Sequence, residues 1–227
     1  MIFKQVFDKK SSTYTYIIAS AKGREAIIID PVIENVDSYI TLLNELNLKL
    51  VKVIDTHIHA DHITGASKLK KFTNCSTIMG EHTPADTVEI KVKDEEIIKI
   101  DQIEIKAMYT PGHTSDSYSF LMDKYLFSGD TLLINGTGRT DFQNGSSKDA
   151  YNSLFNKLLK LPDDTVLYPG HDYNGKLSST IGKEKQHNPR LQVENVDQYI
   201  EIMSNLNLSK PKMIDRNISK NLKLGKI

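Results

Sequence analysis

Tryptophan is absent from the 227 residues, cysteine occurs once, and neither sign of charge is in excess, with 29 Lys and Arg against 29 Asp and Glu. The lone thiol, Cys75, can close no disulfide within the chain and cannot build a thiolate metal cluster. Structural zinc of the cysteine-rich kind is thereby excluded, and a reducing, cytoplasmic setting is expected. Balanced charge removes the basic surface that nucleic acid or an anionic membrane would need, so a charged ligand must be met by a local site. No stretch approaches the roughly 18 apolar residues of a spanning helix, and the polar first seven residues do not read as a signal peptide. What is present is ordinary for a folded protein: 39% hydrophobic and 26% charged residues, in a length that suits one large domain.

Short apolar runs at residues 2–7, 14–19 and 26–29 predict an antiparallel β start. Val36, Tyr39, Ile40, Leu43 and Leu46 then fall at helical spacing and predict a helix laid on a sheet. A buried strand at 50–54 runs into a histidine-rich loop, followed by a helix over 63–72. Six further strands are expected at 77–79, 89–92, 97–100, 103–108, 117–122 and 125–127, the last two joined by a tight turn at Asp123-Lys124. Residues 134–147 read as a long ordered loop, of the kind that is often functional. Tyr151, Leu154, Phe155, Leu158 and Leu159 mark another amphipathic helix, 166–168 a last strand, and 179–187 and 195–205 two more helices. The expected fold is α+β: two mixed sheets back to back with helices outside, one domain over 1–227 with the helical segment from about 179 packed on it.

The chemistry concentrates in Thr56-His57-Ile58-His59-Ala60-Asp61-His62. Three imidazoles and a carboxylate so close together are costly to desolvate unless a cation compensates them. Imidazole and carboxylate donors without thiolate suit zinc, iron, manganese or nickel. Three further pieces each place a His or Asp on a Gly or Pro turn just after an expected strand: Pro111-Gly112-His113, Ser128-Gly129-Asp130 and Pro169-Gly170-His171-Asp172-Tyr173. Strand ends of a rigid sheet can bring such loops to one point. His82 and His187 lie outside these pieces and are expected at the surface, and Cys75 is expected as a small buried hydrophobe.

His57, His59, Asp61, His62, His113, Asp130 and His171 together resemble the signature of the metallo-β-lactamase superfamily, which implies an αββα sandwich with a metal at the edge between the sheets. Within it, residues 59–65 (His-Ala-Asp-His-Ile-Thr-Gly), Gly138-Arg139-Thr140-Asp141-Phe142-Gln143, His171-Asp172-Tyr173 and Asn188-Pro189-Arg190-Leu191 are similar to the persulfide dioxygenase family, a relative of glyoxalase II. The tail, Asn205-Leu206-Asn207-Leu208 with Lys210-Pro211, is similar as well. The resemblance implies one Fe(II) per chain on His57, His113 and Asp130, a facial triad whose open face admits a substrate sulfur and dioxygen together. It implies oxidation of glutathione persulfide by dioxygen and water to sulfite and glutathione, in sulfide detoxification. His59, Asp61, His62, His171 and Asp172 are then expected around the metal, hydrogen-bonded to ligands or water.

Glutathione carries carboxylates, so Arg139 and Arg190, two of only four arginines, are the candidate substrate residues. The alternative for Arg139 is a brace on its own loop through Asp141. Tyr173 is a candidate for placing its hydroxyl near the substrate sulfur. Thr137 stands where some members carry Cys. The family also allows a homodimer and, since no rhodanese module follows here, a separate rhodanese partner. Two other readings compete: a two-metal thioester hydrolase like glyoxalase II, using the same seven residues with a metal-activated hydroxide, and a non-enzymatic metal or persulfide sensor.

Overall fold

A computed structural model of the chain describes residues 1–210 and 213–226; Pro211 of the tail motif and the terminal Ile227 lie outside them. The first sheet is built of β1 (Ile2–Asp8), β2 (Thr13–Ala19), β3 (Glu25–Ile29), β4 (Lys49–Ile54), β5 (Ser76–Gly80) and β6 (Ile90–Val92), in that spatial order. Its first three strands are antiparallel, as the short polar turns between them require, and β3 to β6 run parallel. The parallel steps from β3 to β4 and from β4 to β5 are crossovers through α1 (Val36–Glu45) and α2 (Ala66–Thr73).

The second sheet follows the order β14 (Ser179–Thr180), β13 (Val166–Pro169), β10 (Tyr125–Gly129), β9 (Tyr118–Met122), β8 (Ile103–Tyr109) and β7 (Ile97–Ile100). Asp123, at φ +52°, makes the two-residue turn that pairs Met122 with Tyr125. A small hairpin of β11 (Leu132–Leu133) and β12 (Gly136–Thr137) stands at the start of the long loop. Helices α3 (Ser147–Asn156), α4 (Ile181–His187), α5 (Val196–Ser204) and α6 (Ile214–Asn221) complete the described elements.

Period-two alternation separates three apolar layers. On β2, Ile17 and Ala19 face outward under α1 and α2, whereas Tyr14, Tyr16 and Ile18 face the second sheet. On β10, Phe127 enters the layer between the sheets and Leu126 the layer beneath α3 and α5, beside Leu154 and Tyr199. The result is the expected αββα sandwich. Cys75 is buried in the outer layer of the first sheet, and His82 and His187 are exposed.

Several elements differ from expectation; the helix expected over 179–187 begins at Ile181, after Ser179 and Thr180 pair as β14. The helix expected from residue 63 begins at Ala66, because Thr64 and Gly65 are bound to other segments. The helix expected through Leu159 ends at Asn156 and continues as a tighter turn over Leu158–Lys160. Helix α6 was not expected, although Ile214, Ile218 and Leu222 repeat every four residues, the spacing of one helical face.

Candidate metal centre

Strands β8 and β10 are both antiparallel to β9, and β13 is parallel to β10, so the C-terminal ends of β8, β10 and β13 lie along one edge of the second sheet. His113, Asp130 and His171 all follow those ends. His57 follows β4 of the first sheet, and a backbone hydrogen bond from Tyr118 N to Thr56 O (2.9 Å) joins the two sheets there. Close approach depends on glycine: a Cβ on Gly129 would lie 2.6 Å from Thr56 Oγ1, and one on Gly170 would lie 2.5 Å from Asp130 Oδ1.

His57, His113 and Asp130 come together with one donor atom from each lying within 4.8 Å of the others. Hydrogen bonds fix which atom each imidazole presents. His113 Nδ1 lies 2.7 Å from the carbonyl of Arg139, which can only accept, so Nδ1 carries the proton and Nε2 keeps its lone pair. Thr56 Oγ1 donates to Asp30 Oδ2 (3.0 Å) and can therefore only accept from His57 Nδ1 at 3.0 Å, again freeing Nε2. Burial, with repulsion from His59 and His113, holds His57 well below the usual histidine range, so its imidazole is neutral as a ligand must be. Asp130 Oδ1 is buried with no partner among the described residues. A divalent cation suits this nitrogen and oxygen donor set and would satisfy that oxygen.

Beside the triad, His59, Asp61 and His62 form a second group with donor atoms within 4.8 Å of one another. Here too His59 Nδ1 and His62 Nε2 are buried with no partner among the described residues, and carboxylates meet the other nitrogen of each ring. His59 Nε2 sits 3.1 Å from Asp30 Oδ1 and 3.7 Å from Asp55 Oδ1. Burial pulls its imidazole down, but Asp30 and Asp55 together outweigh burial and leave it well above the usual range. His62 Nδ1 is 2.9 Å from Asp61 Oδ2, which also accepts from Thr13 Oγ1 at 3.0 Å. His171 Nδ1 contacts Ser12 O at 3.0 Å and so turns Nε2 to Asp130 Oδ2 (3.4 Å) and Asp61 Oδ2 (3.5 Å). Four of the five expected neighbours, His59, Asp61, His62 and His171, thus lie beside the triad.

Asp172 is the exception. Its carboxylate accepts from Asn174 N (2.8 Å) and Lys176 N (2.7 Å), so it caps the turn after Tyr173 instead of bonding a ligand; adjacent residues of an extended segment point in opposite directions. The sequence reading missed Asp30, Asp116 and the role of Gln143. Asp116 accepts from Ile58 N (3.0 Å) and Gln143 Nε2 donates to Ile58 O (2.6 Å), pinning both faces of the residue between the two histidines. Asp30 could have been noticed as a charge directly after Ile27, Ile28 and Ile29, three fully buried positions.

A cavity of about 560 Å³ opens on His113 and Asp130, lined among others by His171, Arg139, Tyr173 and Arg190. Arg139 lines it but is committed elsewhere: Nε and Nη2 bind both oxygens of Asp141 at 2.7 Å, and Nη1 and Nη2 bind the carbonyls of Ser209 and Leu208. Arg190 uses only Nη1, on Thr137 O, and makes no ion pair among the described residues. Tyr173 is 73% exposed at the rim of the cavity.

The two sheets, the outer helices and the histidine cluster at the strand ends define a metallo-β-lactamase fold, and the family model of the metallo-β-lactamase superfamily matches residues 9–87 and 80–171. The chain is 37% identical to human "Persulfide dioxygenase ETHE1, mitochondrial", over 99% of this chain and 89% of that one. A crystal structure of ETHE1 from Myxococcus xanthus matches with a TM-score of 0.97 at 44% identity, covering 100% of both chains. The chain belongs to the persulfide dioxygenase family of that superfamily. It is also 33% identical to a hydroxyacylglutathione hydrolase of Dictyostelium discoideum, over 77% of this chain and 68% of that one.

Proposed function

We propose that the protein is an Fe(II)-dependent dioxygenase that converts glutathione persulfide, dioxygen and water to sulfite and glutathione. The observation that carries this reading is the triad itself: donor atoms of His57, His113 and Asp130 lie within 4.8 Å of one another, Asp130 Oδ1 has no partner among the described residues, and His113 and Asp130 line the cavity. His57 Nε2, His113 Nε2 and Asp130 are the residues that would hold the ion. Bound there, iron supplies the electrons for dioxygen activation that redox-inert zinc cannot supply, on a coordination face left open by the protein.

The remaining residues bind and orient. Arg190, with Nε and Nη2 unpartnered among the described residues, offers the guanidinium for a glutathione carboxylate. Arg139 stiffens the cavity wall through Asp141, and its carbonyl keeps the proton of His113 on Nδ1. Tyr173, at the rim of the cavity, would donate its phenolic proton in a hydrogen bond to the substrate sulfur. His171 Nε2 steadies Asp130 Oδ2.

Among the described residues no helix is long and apolar enough to cross a membrane. A cytoplasmic location, a homodimer and a separate rhodanese remain part of this proposal, beside relatives whose names include "mitochondrial". The second reading, a two-metal thioester hydrolase, is favoured by one observation, the second donor group His59, Asp61 and His62. Oxygen uptake separates the two. Protein loaded anaerobically with ferrous iron and given glutathione persulfide is expected to consume dioxygen and form sulfite; no uptake by a sample that has kept its iron sinks the dioxygenase reading, and thioester cleavage by the zinc-loaded protein then becomes the assay.

A further inference from the structure

The loop over residues 55–65 carries His57, His59, Asp61 and His62. Much of its backbone is satisfied by side chains, and several of those come from the far C-terminal end of the chain. Asn221 Nδ2 donates to the carbonyls of His59 and His62, both at 2.8 Å, while its Oδ1 accepts from Thr64 N at 2.9 Å. Asn217, one helical turn earlier, donates from Nδ2 to Ala60 O at 2.9 Å. Spacing of four residues puts both amides on one face of α6. Both are buried, as few asparagines are.

The end of the same helix is anchored with equal care. Leu222 and Leu224 pack with Ile218 into the outer layer of the first sheet. Leu224 takes a left-handed φ of +54°, unusual for leucine, and its carbonyl accepts from Ser67 N (3.1 Å) in the first turn of α2, a helix whose N-cap, Gly65, has no side chain to offer. Gly225 then passes so close that a Cβ would lie 2.1 Å from Thr64 O. Six hydrogen bonds therefore join residues 217–224 to the segment 59–67. An asparagine has two N–H donors and an acceptor on one planar group, and Asn221 uses all three on backbone that would otherwise have to turn toward water.

We propose that α6 is the clamp that holds the metal-binding loop in its ligating shape, with Asn217 and Asn221 as positioning residues that set ion affinity without touching the ion. The proposal rests on the metal-site reading but not on the reaction. Its test is Co(II) affinity, measured by chelator competition on the full chain, together with hydrogen exchange at the Thr64 amide. Asn221→Ala is expected to weaken Co(II) binding roughly 10- to 100-fold, the range for groups that support metal ligands, and to expose the Thr64 amide to exchange. Asn221→Asp keeps the acceptor for Thr64 and loses both donors, so it is expected to weaken Co(II) while Thr64 stays protected. Asn217→Ala should have a smaller effect and decides the matter should Asn221→Ala fail to fold. Leu154→Ala, in the apolar layer under α3, is the stability control: it should lower Tm and leave Co(II) affinity unchanged.

Unchanged affinity in Asn221→Asp and Asn217→Ala overturns the clamp. So does a loss in Leu154→Ala equal to that in Asn221→Asp, because affinity would then only follow global stability. A parent protein that binds Co(II) with the expected pattern of variants, yet takes up no dioxygen when loaded with iron, supports the clamp and sinks the dioxygenase reading alone.

Discussion

His57 and His59 stand two residues apart, are equally buried at 2% exposure and have ring centroids 4.3 Å from each other, yet their surroundings shift their titrations in opposite directions. His57 meets a hydroxyl, Thr56 Oγ1, that can only accept its proton; His59 meets two carboxylates, Asp30 and Asp55. A hydroxyl fixes the tautomer and leaves the ring neutral and ready to ligate. A carboxylate pair fixes the proton on Nε2 and favours the charged ring in the metal-free protein, and it leaves Nδ1 without a partner among the described residues. One carboxylate, Asp30, governs both histidines, since it accepts from Thr56 N, Thr56 Oγ1 and His59 Nε2. The difference between the two histidines therefore lies in the residues behind the motif, not in the motif.

Removing a ligand should have the largest effect. Asp130→Ala or His113→Ala is expected to lose iron and activity together, with affinity lowered by more than roughly 100-fold, above the range for supporting groups; His59→Gln should keep most of its iron, and metal content per chain after gel filtration checks the contrast. Asp30→Asn erases the distinction between the histidines. It is expected to lower iron affinity roughly 10- to 100-fold and to bring the His59 titration, followed by NMR in the metal-free protein, down from its raised value.

Arg190→Ala leaves the comparison intact and tests the cavity wall. Its expected result is a KM for glutathione persulfide raised about tenfold, consistent with loss of a charged hydrogen bond of about 1.5–3 kcal/mol partly replaced by water, with iron content unchanged. The smallest effect is on stability against pH in the metal-free protein. His59 is raised, so its contribution is full below the unfolded value of about 6.5 and is lost as pH rises through the folded value. His57 is depressed, so it destabilises the fold as pH falls through about 6.5, where the unfolded chain takes up a proton that the folded chain refuses. The Tm advantage of the parent over His59→Gln should shrink toward alkaline pH, and His57→Gln should gain on the parent toward acid pH.

Much of this was legible in the sequence. Alternation in runs such as Tyr14 to Ala19 gave strands facing two layers, and Gly or Pro turns before His113, Asp130 and His171 marked the strand ends where the site forms. Polar supports were not legible, because a hydrogen bond across 157 to 162 residues leaves no periodic trace: Asn217 and Asn221 look like surface residues of a polar helix until their partners at Ala60, His59 and His62 are seen. Arg139 was expected either to bind substrate or to brace its own loop through Asp141; the pair with Asp141 is present, and its bonds to the tail carbonyls depend on tertiary structure. Asp172 shows the converse error, where adjacency to His171 suggested a shared role and the backbone turned its side chain to the following turn.

Crystals of the anaerobically iron-loaded protein, measured on both sides of the iron absorption edge, would test the one-ion site most directly. One anomalous peak is expected, within bonding distance of His57 Nε2, His113 Nε2 and Asp130. A second peak among Asp61, His62 and His171, or a first-peak contact to His59 Nδ1, would contradict the one-ion site.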